Sequence, residues 1–236
     1  MKRILDVLLS FIALLILFPI LVIILILIFV QDGYNPFFIS SRVGKRGVLF
    51  KMVKIRTMVK DADVTGVSST SDDDNRITRI GHFVRRYKLD ELPQLWNVLI
   101  GEMTIIGPRP NVKAGTDLYT EADMRLLTVK PGLSDFSSIV FSDEGDILKG
   151  KADPDISYNE LIRPWKSRLG IVYIENQNFL LDIKIIMWTL LAMFCRKKAL
   201  IRINQELKKL STDSDLIDIC KRDKELVPLS TPELIK

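Results

Sequence analysis

Residues 85–110 read RRYKLDELPQLWNVLIGEMTIIGPRP and contain two adjacent carboxylates, Asp90 and Glu91, shortly before Pro93. Proline is favoured in the first turn of a helix, so this order predicts a helix that begins near Pro93. Both acids would then lie at the positive end of the helix dipole. The apolar residues of this helix recur at helical spacing and predict a buried side, formed by Leu92, Leu95, Trp96 and Leu99.

Arginines bracket the two acids in the sequence. Arg85 and Arg86 precede them, and Arg109 follows in the turn sequence Gly-Pro-Arg-Pro. Carboxylates at the start of a helix that are flanked by arginines suit a metal ion bound together with a phosphate. The residues alone leave a second interpretation equally open, in which Asp90 and Glu91 only cap a helix.

The same stretch closely resembles the core motif of the bacterial sugar transferases, the small monotopic phosphoglycosyl transferases. The resemblance rests on LDELPQLWNVLIGEM and IIGPRP, and it continues through RITRIG at residues 76–81 and Lys-Pro-Gly at residues 130–132. It covers most of the chain as far as about residue 195. It implies that Asp90 is the nucleophile, that Glu91 helps to bind Mg2+, and that the substrates are a UDP-sugar and polyprenyl phosphate.

Length, charge and residue usage limit the alternatives. The 236 residues can hold one compact domain with an anchor and a tail. The formal net charge of +5 suits an anionic membrane surface or a phosphate-bearing substrate. The basic residues are spread out and match no nucleic-acid motif, so no nucleic-acid partner is predicted. Two cysteines cannot form a disulfide framework, so a reducing compartment is expected.

The first segment, residues 4–30, is almost continuously apolar and exceeds the roughly 20 residues that cross a bilayer. Pro19 falls in its middle and is expected to bend the helix. Positive charge lies on both sides, so the positive-inside rule keeps both flanks in the cytoplasm. We therefore predict a re-entrant helix, broken at Pro19, that enters and leaves the membrane on one face. The flanking cations are Lys2, Arg3, Arg42, Lys45, Arg46, Lys51 and Lys54.

The resemblance implies the same re-entrant helix and the same lipid contact. The family often has a small polar residue before this proline, where this chain has Phe18. The prediction of a kink therefore depends on Pro19 alone.

Two stretches rich in β-branched and aromatic residues, residues 37–43 and 48–55, flank the basic turn Gly-Lys-Arg-Gly. This pattern predicts a β-hairpin. Lys54 and Arg56 match the family's K-x-R-T-M run, so the resemblance implies that both lie near the site. Lys54, Arg56, Arg85 and Arg109 are the residues predicted to bind substrate phosphate.

Residue patterns also predict the elements around this centre. Residues 61–75 are polar and indicate a surface loop, and residues 77–89 indicate a basic helix that leads into the acids. Residues 111–127 are predicted to form one amphipathic helix. Residues 158–173 are predicted to be helical, with an interruption at Pro164.

Residues 179–195 form a second apolar run. Asp182 and Lys184 lie early in this run and would be costly in a lipid core. An interfacial or core helix is therefore predicted here rather than a second membrane crossing.

The stretch after Pro131-Gly132 departs from the commonest family pattern. Many members continue with a Trp-Ala-Gln-Val-Asn-Gly-Arg type of run, whereas this chain has SDFSSI at residues 134–139. The basic residues of that run are absent. The departure predicts a different sugar specificity or a different subfamily.

The predicted fold is α+β and mostly α-helical, with a β-hairpin and a helical catalytic domain lying on the membrane surface. Residues 1–30 would form the re-entrant membrane helix, residues 31–200 the cytosolic catalytic domain, and residues 201–236 a charged tail. The predicted location is the cytoplasmic face of the bacterial inner membrane. The patterns do not indicate the oligomeric state.

The resemblance implies a reaction in two steps through a covalent aspartyl-phosphosugar intermediate. A phosphosugar would pass from a UDP-sugar to polyprenyl (undecaprenyl) phosphate with release of UMP. This would be the first membrane step in the assembly of a capsule, exopolysaccharide, O-antigen or glycoprotein glycan. Two alternatives remain open: a membrane-anchored glycosyltransferase that acts later on a lipid-linked glycan, and a basic binding module at the membrane surface.

Overall fold

The computed structural model describes residues 2–65, 69–211 and 213–228, and it confirms the predicted mostly helical class. Parts of the predicted loop, residues 66–68, and of the predicted tail, residues 212 and 229–236, lie outside this description. The helices are α1 Lys2–Asp32, α2 Arg79–Arg86, α3 Gln94–Ile100, α4 Lys113–Thr116, α5 Phe136–Val140, α6 Glu144–Leu148, α7 Pro154–Leu161, α8 Arg163–Asn176, α9 Phe179–Leu210 and α10 Ser214–Ile219. The strands are β1 Phe37–Val43, β2 Leu49–Ile55, β3 Thr104–Ile106 and β4 Gly132–Ser134.

Helix α1 is, among the described residues, the one helix long and apolar enough to cross a membrane by length and composition. Its 31 residues continue as one helix through Pro19, so the predicted break at Pro19 does not divide the helix. A proline inside a helix removes one backbone hydrogen bond, which a continuous helix can absorb by bending. The middle of α1 exposes large apolar side chains, among them Phe11, Leu15, Phe18 and Ile23.

The beginning of α1 is bound to the domain by polar contacts. The Lys2 ammonium donates to the carbonyl of Ile106 at 2.8 Å and pairs with Asp182 at 2.8 Å. Asp6 is buried and accepts hydrogen bonds from the Thr104 hydroxyl at 2.7 Å and from a β3 amide at 3.0 Å. Because buried charges require partners, these contacts fix the start of α1 against β3 and α9.

The end of α1 is bound to the same domain. The Arg56 guanidinium donates to both carboxylate oxygens of Asp32, at 2.6 and 2.7 Å. Ile24 and Ile28 are buried in a small core that they share with Ile55. The two ends of the apolar helix therefore contact one domain, while its middle is exposed.

The predicted hairpin is confirmed. β1 and β2 are antiparallel, with Phe37 opposite Ile55 and Val43 opposite Leu49. The second strand begins at Leu49, because a short 3-10 turn, Lys45–Gly47, and an extended residue join the two strands.

A second, parallel pair of strands was not predicted. β3 pairs with β4, so that Thr104 lies opposite Gly132. A Cβ atom at Gly132 would lie 2.2 Å from the backbone of Gly107, a distance that excludes any other residue without movement. The close approach holds the turn after β3, residues 107–110, beside Pro131.

The prediction of one amphipathic helix over residues 111–127 is wrong. The segment contains the short α4 and a 3-10 turn, Asp123–Thr128. The carboxylate of Asp123 accepts hydrogen bonds from the amide and the hydroxyl of Thr120, at 3.0 and 2.9 Å. Such local side-chain bonds compete with the backbone bonds of a helix.

Two other helical predictions are confirmed with shorter bounds. The basic helix of residues 77–89 is α2, which ends at Arg86 before Lys88 takes a left-handed conformation, with φ of 56°. Residues 158–173 form parts of α7 and α8, and Pro164 lies in the first turn of α8, where its missing amide hydrogen costs little.

Helix α9 confirms the prediction of a core or interfacial helix. Asp182 is buried and pairs with Lys2, and Lys184 pairs with Glu206 at 2.5 Å. The helical segment continues past residue 200, the predicted end of the catalytic domain, but it turns sharply at Cys195, where φ and ψ are −151° and 82°, so that Lys184 and Glu206 meet. Residues beyond that point belong to the main core, namely Ile203, Leu207, Leu216 and Cys220.

This packing makes a testable prediction about Cys220. Burial raises the pKa of the Cys220 thiol to about 12, so little thiolate forms at pH 8. In a Cys195→Ser background, iodoacetamide should leave the folded protein unlabelled at pH 8 and should label Cys220 after unfolding, as measured by mass spectrometry. Rapid labelling of the folded protein would contradict the packing of α10 on the core.

Candidate active site

The two acids lie in a 3-10 turn, Leu89–Glu91, directly before Pro93 and α3. The turn follows Lys88, whose left-handed backbone redirects the chain after α2. The acids are therefore next to the start of α3, as the sequence predicted, although they are not part of its first turn. Apolar residues of α3 anchor the turn, because Leu95 and Val98 are buried.

Asp90 is 9% exposed and makes no direct hydrogen bond among the described residues, but the Lys54 ammonium lies 3.7 Å from its carboxylate. Burial raises the pKa of Asp90, and Glu91 adds to the rise, whereas Lys54 and Arg85 oppose it. A carboxylate with few hydrogen bonds is less stabilised than one that is fully bound. Asp90 is thus the more basic of the two acids.

Glu91 is bound much more tightly. The Arg109 guanidinium donates to both of its carboxylate oxygens, with one distance of 2.9 Å, and Lys54 donates at 3.3 Å. Burial alone would raise the pKa of Glu91, but the charges of Arg109 and Lys54 outweigh it and hold the pKa well below its usual range. Two neighbouring carboxyls with pKa values shifted in opposite directions are typical of acids with different chemical roles.

Arg109 joins the acid turn to the second sheet. Besides Glu91, it donates to the carbonyl of Leu133 at 2.5 Å. Burial would lower the pKa of Arg109, but the charge of Glu91 outweighs it and raises the pKa above its usual value. The turn of residues 107–110 therefore positions a permanent positive charge against the acids.

The four predicted phosphate ligands differ in position. Lys54 and Arg109 contact the acids directly, and Arg85 lies near enough to lower the pKa of Asp90 while it donates to Thr57 at 3.4 Å. The Arg56 guanidinium instead binds Asp32 and three backbone carbonyls. β2 ends at Ile55, so Arg56 no longer follows the alternation that would have placed it beside Lys54.

Other charged residues of the site were missed in the sequence. Lys88 lies close enough to affect the pKa of both acids. Glu144 of α6 pairs with Lys166 of α8, and Arg109 and Lys88 contribute to lowering the pKa of Glu144. Glu144 and Lys166 come from separate elements, so no local spacing could have connected them, whereas Lys88 lies two residues before Asp90 and could have been found from the sequence.

The acids suit one kind of metal site. No group of three or more His, Cys, Asp or Glu side chains that could hold a metal ion occurs in the described ranges. Magnesium, however, is commonly bound by one or two carboxylates together with substrate phosphates. A single carboxylate such as Glu91 is compatible with that mode, in which the substrate supplies the remaining oxygen ligands.

A carboxylate pair in a basic setting, next to an apolar helix, is the arrangement expected of the family that the sequence resembles. The profile of the bacterial sugar transferases matches residues 1–196, and the chain belongs to this family.

Individual relatives have related names. The chain is 42% identical over 118 residues to a Bacillus subtilis (strain 168) protein named for undecaprenyl-phosphate N-acetylgalactosaminyl 1-phosphate transfer, covering 50% of this chain and 66% of that protein. It is 35% identical over 209 residues to the exopolysaccharide production protein PSS of Rhizobium leguminosarum bv. phaseoli, covering 84% and 97%. It is 31% identical over 169 residues to the UDP-N-acetylgalactosamine-undecaprenyl-phosphate N-acetylgalactosaminephosphotransferase of Aeromonas hydrophila, covering 70% and 40%. The chain thus spans less than two thirds of the Bacillus and Aeromonas proteins.

The geometry distinguishes Arg109 from Arg85. Arg109→Lys cannot keep both bonds to Glu91 and the bond to Leu133, so we expect it to lose about 2 kcal/mol of folding free energy as well as activity. Arg85→Lys should lose activity without a change in stability, because the guanidinium makes one long bond to Thr57.

Thermal unfolding in detergent, combined with turnover, checks this pair of variants. Equal unfolding temperatures for both variants would contradict the joining role of Arg109. Full turnover in both would remove the case for phosphate binding.

Proposed function

We propose that this protein transfers a phosphosugar from a UDP-sugar to polyprenyl (undecaprenyl) phosphate and releases UMP, as the first membrane step of a bacterial glycan. The observation that carries the proposal is the pair of adjacent acids with opposite electrostatics, Asp90 and Glu91, in a cluster of cations. The names of the relatives support the choice of substrates, because two of them refer to undecaprenyl phosphate and one to a UDP-sugar.

In the first step, an oxygen of the Asp90 carboxylate attacks the β-phosphorus of the donor. The bond from that phosphorus to the bridging oxygen breaks, and UMP leaves with the bonding electrons. Carboxylates form such acyl phosphates in other enzymes. Asp90 suits this step because it is the more basic of the two acids and makes no hydrogen bond in the described chain that would occupy its oxygens.

In the second step, a phosphate oxygen of the polyprenyl phosphate attacks the same phosphorus. The bond to Asp90 breaks and returns the carboxylate, and the product is a polyprenyl diphosphate sugar. Lys54 contacts both acids and Arg109 contacts Glu91, so these cations would balance the charge that accumulates when two anions meet.

Glu91 is the residue proposed to hold Mg2+, together with phosphate oxygens of the donor. A bound magnesium ion would neutralise phosphate charge and favour departure of the nucleotide. Arg109 and Lys54 keep Glu91 ionised, which is the form that a metal requires.

The proposal includes a location on the cytoplasmic face of the bacterial inner membrane. The two ends of α1 contact one domain, at Lys2 and at Asp32, and the middle of α1 exposes apolar surface. A re-entrant course, with the middle immersed in lipid, is consistent with that arrangement. It would bring the site to the depth of the phosphate of an amphiphilic acceptor.

The first experiment separates the roles of the two acids. Asp90→Asn removes the attacking oxyanion and leaves an amide of the same size, so turnover should fall by orders of magnitude with little change in unfolding temperature. Asp90→Glu should also fail, because near-attack geometry tolerates an error of about 1 Å. Glu91→Gln should need a higher magnesium concentration and regain part of its activity there.

Labelled donor tests the covalent step directly. Wild type given UDP-sugar labelled at the β-phosphate, without acceptor, should retain label on the protein and release UMP, whereas Asp90→Asn should retain none. Label that survives in Asp90→Asn would show that the nucleophile is another residue. In a separate assay with a lipid-linked acceptor present, release of UDP would favour a glycosyltransferase that acts later, and no nucleotide release with either acceptor would favour a binding module.

The second experiment tests topology. Single cysteines at Lys2 and Lys60, in a background without Cys195 and Cys220, should both resist an impermeant thiol reagent in intact spheroplasts. A permeant reagent should label both and serves as the control. Impermeant labelling at one of the two positions alone would mean that α1 crosses the membrane.

A further inference from the structure

The side chain of Arg42, near the end of β1, lacks a partner. Its Nε atom is buried without an acceptor, and across residues 2–65, 69–211 and 213–228 no hydrogen bond or ion pair reaches the guanidinium. A charged group that is largely removed from water is normally paired, because an unpaired charge is costly to desolvate. Arg42 is half-buried, and its buried Nε lacks the acceptor that such a position requires.

Arg42 lies beside the candidate active site. The amide of Val43 donates to the carbonyl of Asn111 at 2.9 Å, which places the end of β1 on the turn that carries Arg109. Burial and the charge of Arg109 lower the pKa of Arg42, whereas Tyr158 raises it. The guanidinium is thus within electrostatic range of both Arg109 and Tyr158.

Lys166 extends this positive surface onto α8. Its ammonium lies 5.2 Å from the centre of the Tyr158 ring and pairs with Glu144. A Cβ atom at Gly170, one turn further along, would lie 3.6 Å from the Cβ of Pro108. Residues four apart share one side of a helix, so Lys166 lies on the side of α8 that contacts this turn.

These cations differ in whether they have a counter-ion. Glu91 neutralises Arg109, and Glu144 neutralises Lys166. Arg42 has no carboxylate partner, and it lies within electrostatic range of the positive charge of Arg109. A bound phosphate would supply the missing partner and offset the repulsion from Arg109. Its oxygens accept paired hydrogen bonds from a guanidinium.

We propose that Arg42 binds a phosphate group of a substrate, with Tyr158 and Lys166 beside it, in a subsite adjacent to the Glu91–Arg109 pair. The choice of ligand rests on the proposed function, which offers two sources of the same chemistry. One is the diphosphate of the nucleotide-sugar donor, and the other is the phosphate of the lipid acceptor. Arg42 binds and orients this phosphate and takes no part in bond breaking.

The first test separates binding from a structural role. Arg42→Gln in the full chain should unfold at the wild-type temperature or higher, because the substitution removes an unpaired charge. Arg46→Gln is the matched control, since Arg46 is an exposed arginine in the turn of the same hairpin. A clear fall in the unfolding temperature of Arg42→Gln alone would indicate a structural role and overturn the proposal.

The second test uses inorganic pyrophosphate without magnesium as the probe, and it does not depend on turnover. Millimolar pyrophosphate should raise the unfolding temperature of wild type, because a ligand of the folded state stabilises it. Arg42→Gln should lose most of this rise, and Arg46→Gln should keep it. An equal rise in Arg42→Gln, or no rise in wild type, would overturn the proposal.

Steady-state kinetics then identify the source of the phosphate. If Arg42→Gln raises the KM for the UDP-sugar by at least about tenfold, the subsite belongs to the donor. The same rise in the KM for polyprenyl phosphate would assign the subsite to the acceptor. Unchanged constants for both substrates would overturn the proposal. If wild type released no UMP but pyrophosphate binding still required Arg42, the proposed function would fail and the anion subsite would stand.

Discussion

The paired hydrogen bonds between Arg109 and Glu91 are the contact on which the site depends. They join the 3-10 turn before α3 to the turn after β3, two segments that share no other direct hydrogen bond among the described side chains. Burial raises the pKa of Asp90, whereas the charge of Arg109 outweighs burial at Glu91 and lowers the pKa of that acid, so Asp90 is the more basic of the two. The ion pair thus fixes the geometry of the site and, together with the burial of Asp90, separates the pKa values of the two carboxyls.

Both ends of the apolar helix α1 bind residues that lie close in sequence to the cations of the Arg109–Glu91 site. Lys2 binds the carbonyl of Ile106, three residues before Arg109. Asp32 binds Arg56, two residues after Lys54. The position of α1 is therefore coupled to the two segments that supply cations to the acids, which gives a physical reason for this apolar helix to be part of the same folded unit.

The sequence predicted the local features well and the tertiary ones poorly. The hairpin, the helix after Pro93 and the core role of α9 were confirmed, but Trp96, which was predicted on the buried side of the helix after Pro93, is 56% exposed. The helix over residues 111–127 was wrong, since Thr120 and Asp123 bind each other locally. Arg56 was placed near the site by its match to the family's K-x-R-T-M run, but it follows the end of β2 and its guanidinium binds Asp32 instead. Arg42, Glu144 and Lys166 were missed as site residues because only packing brings them together, and Lys88 was missed although it is a neighbour of Asp90 in the sequence.

The departure after Pro131-Gly132 has a structural explanation that bears on the charge of the site. Asp135 is buried, caps α5 through the amide of Ser138 at 2.7 Å and accepts hydrogen bonds from the hydroxyls of Ser137 and Ser138. The segment therefore caps the N-terminus of α5 and offers no cation to a substrate. Four cations that lie outside this segment act on the two acids, namely Lys54, Arg85, Lys88 and Arg109. The remaining positive charge is what a diphosphate requires, so the lost basic run does not leave the site unable to bind one.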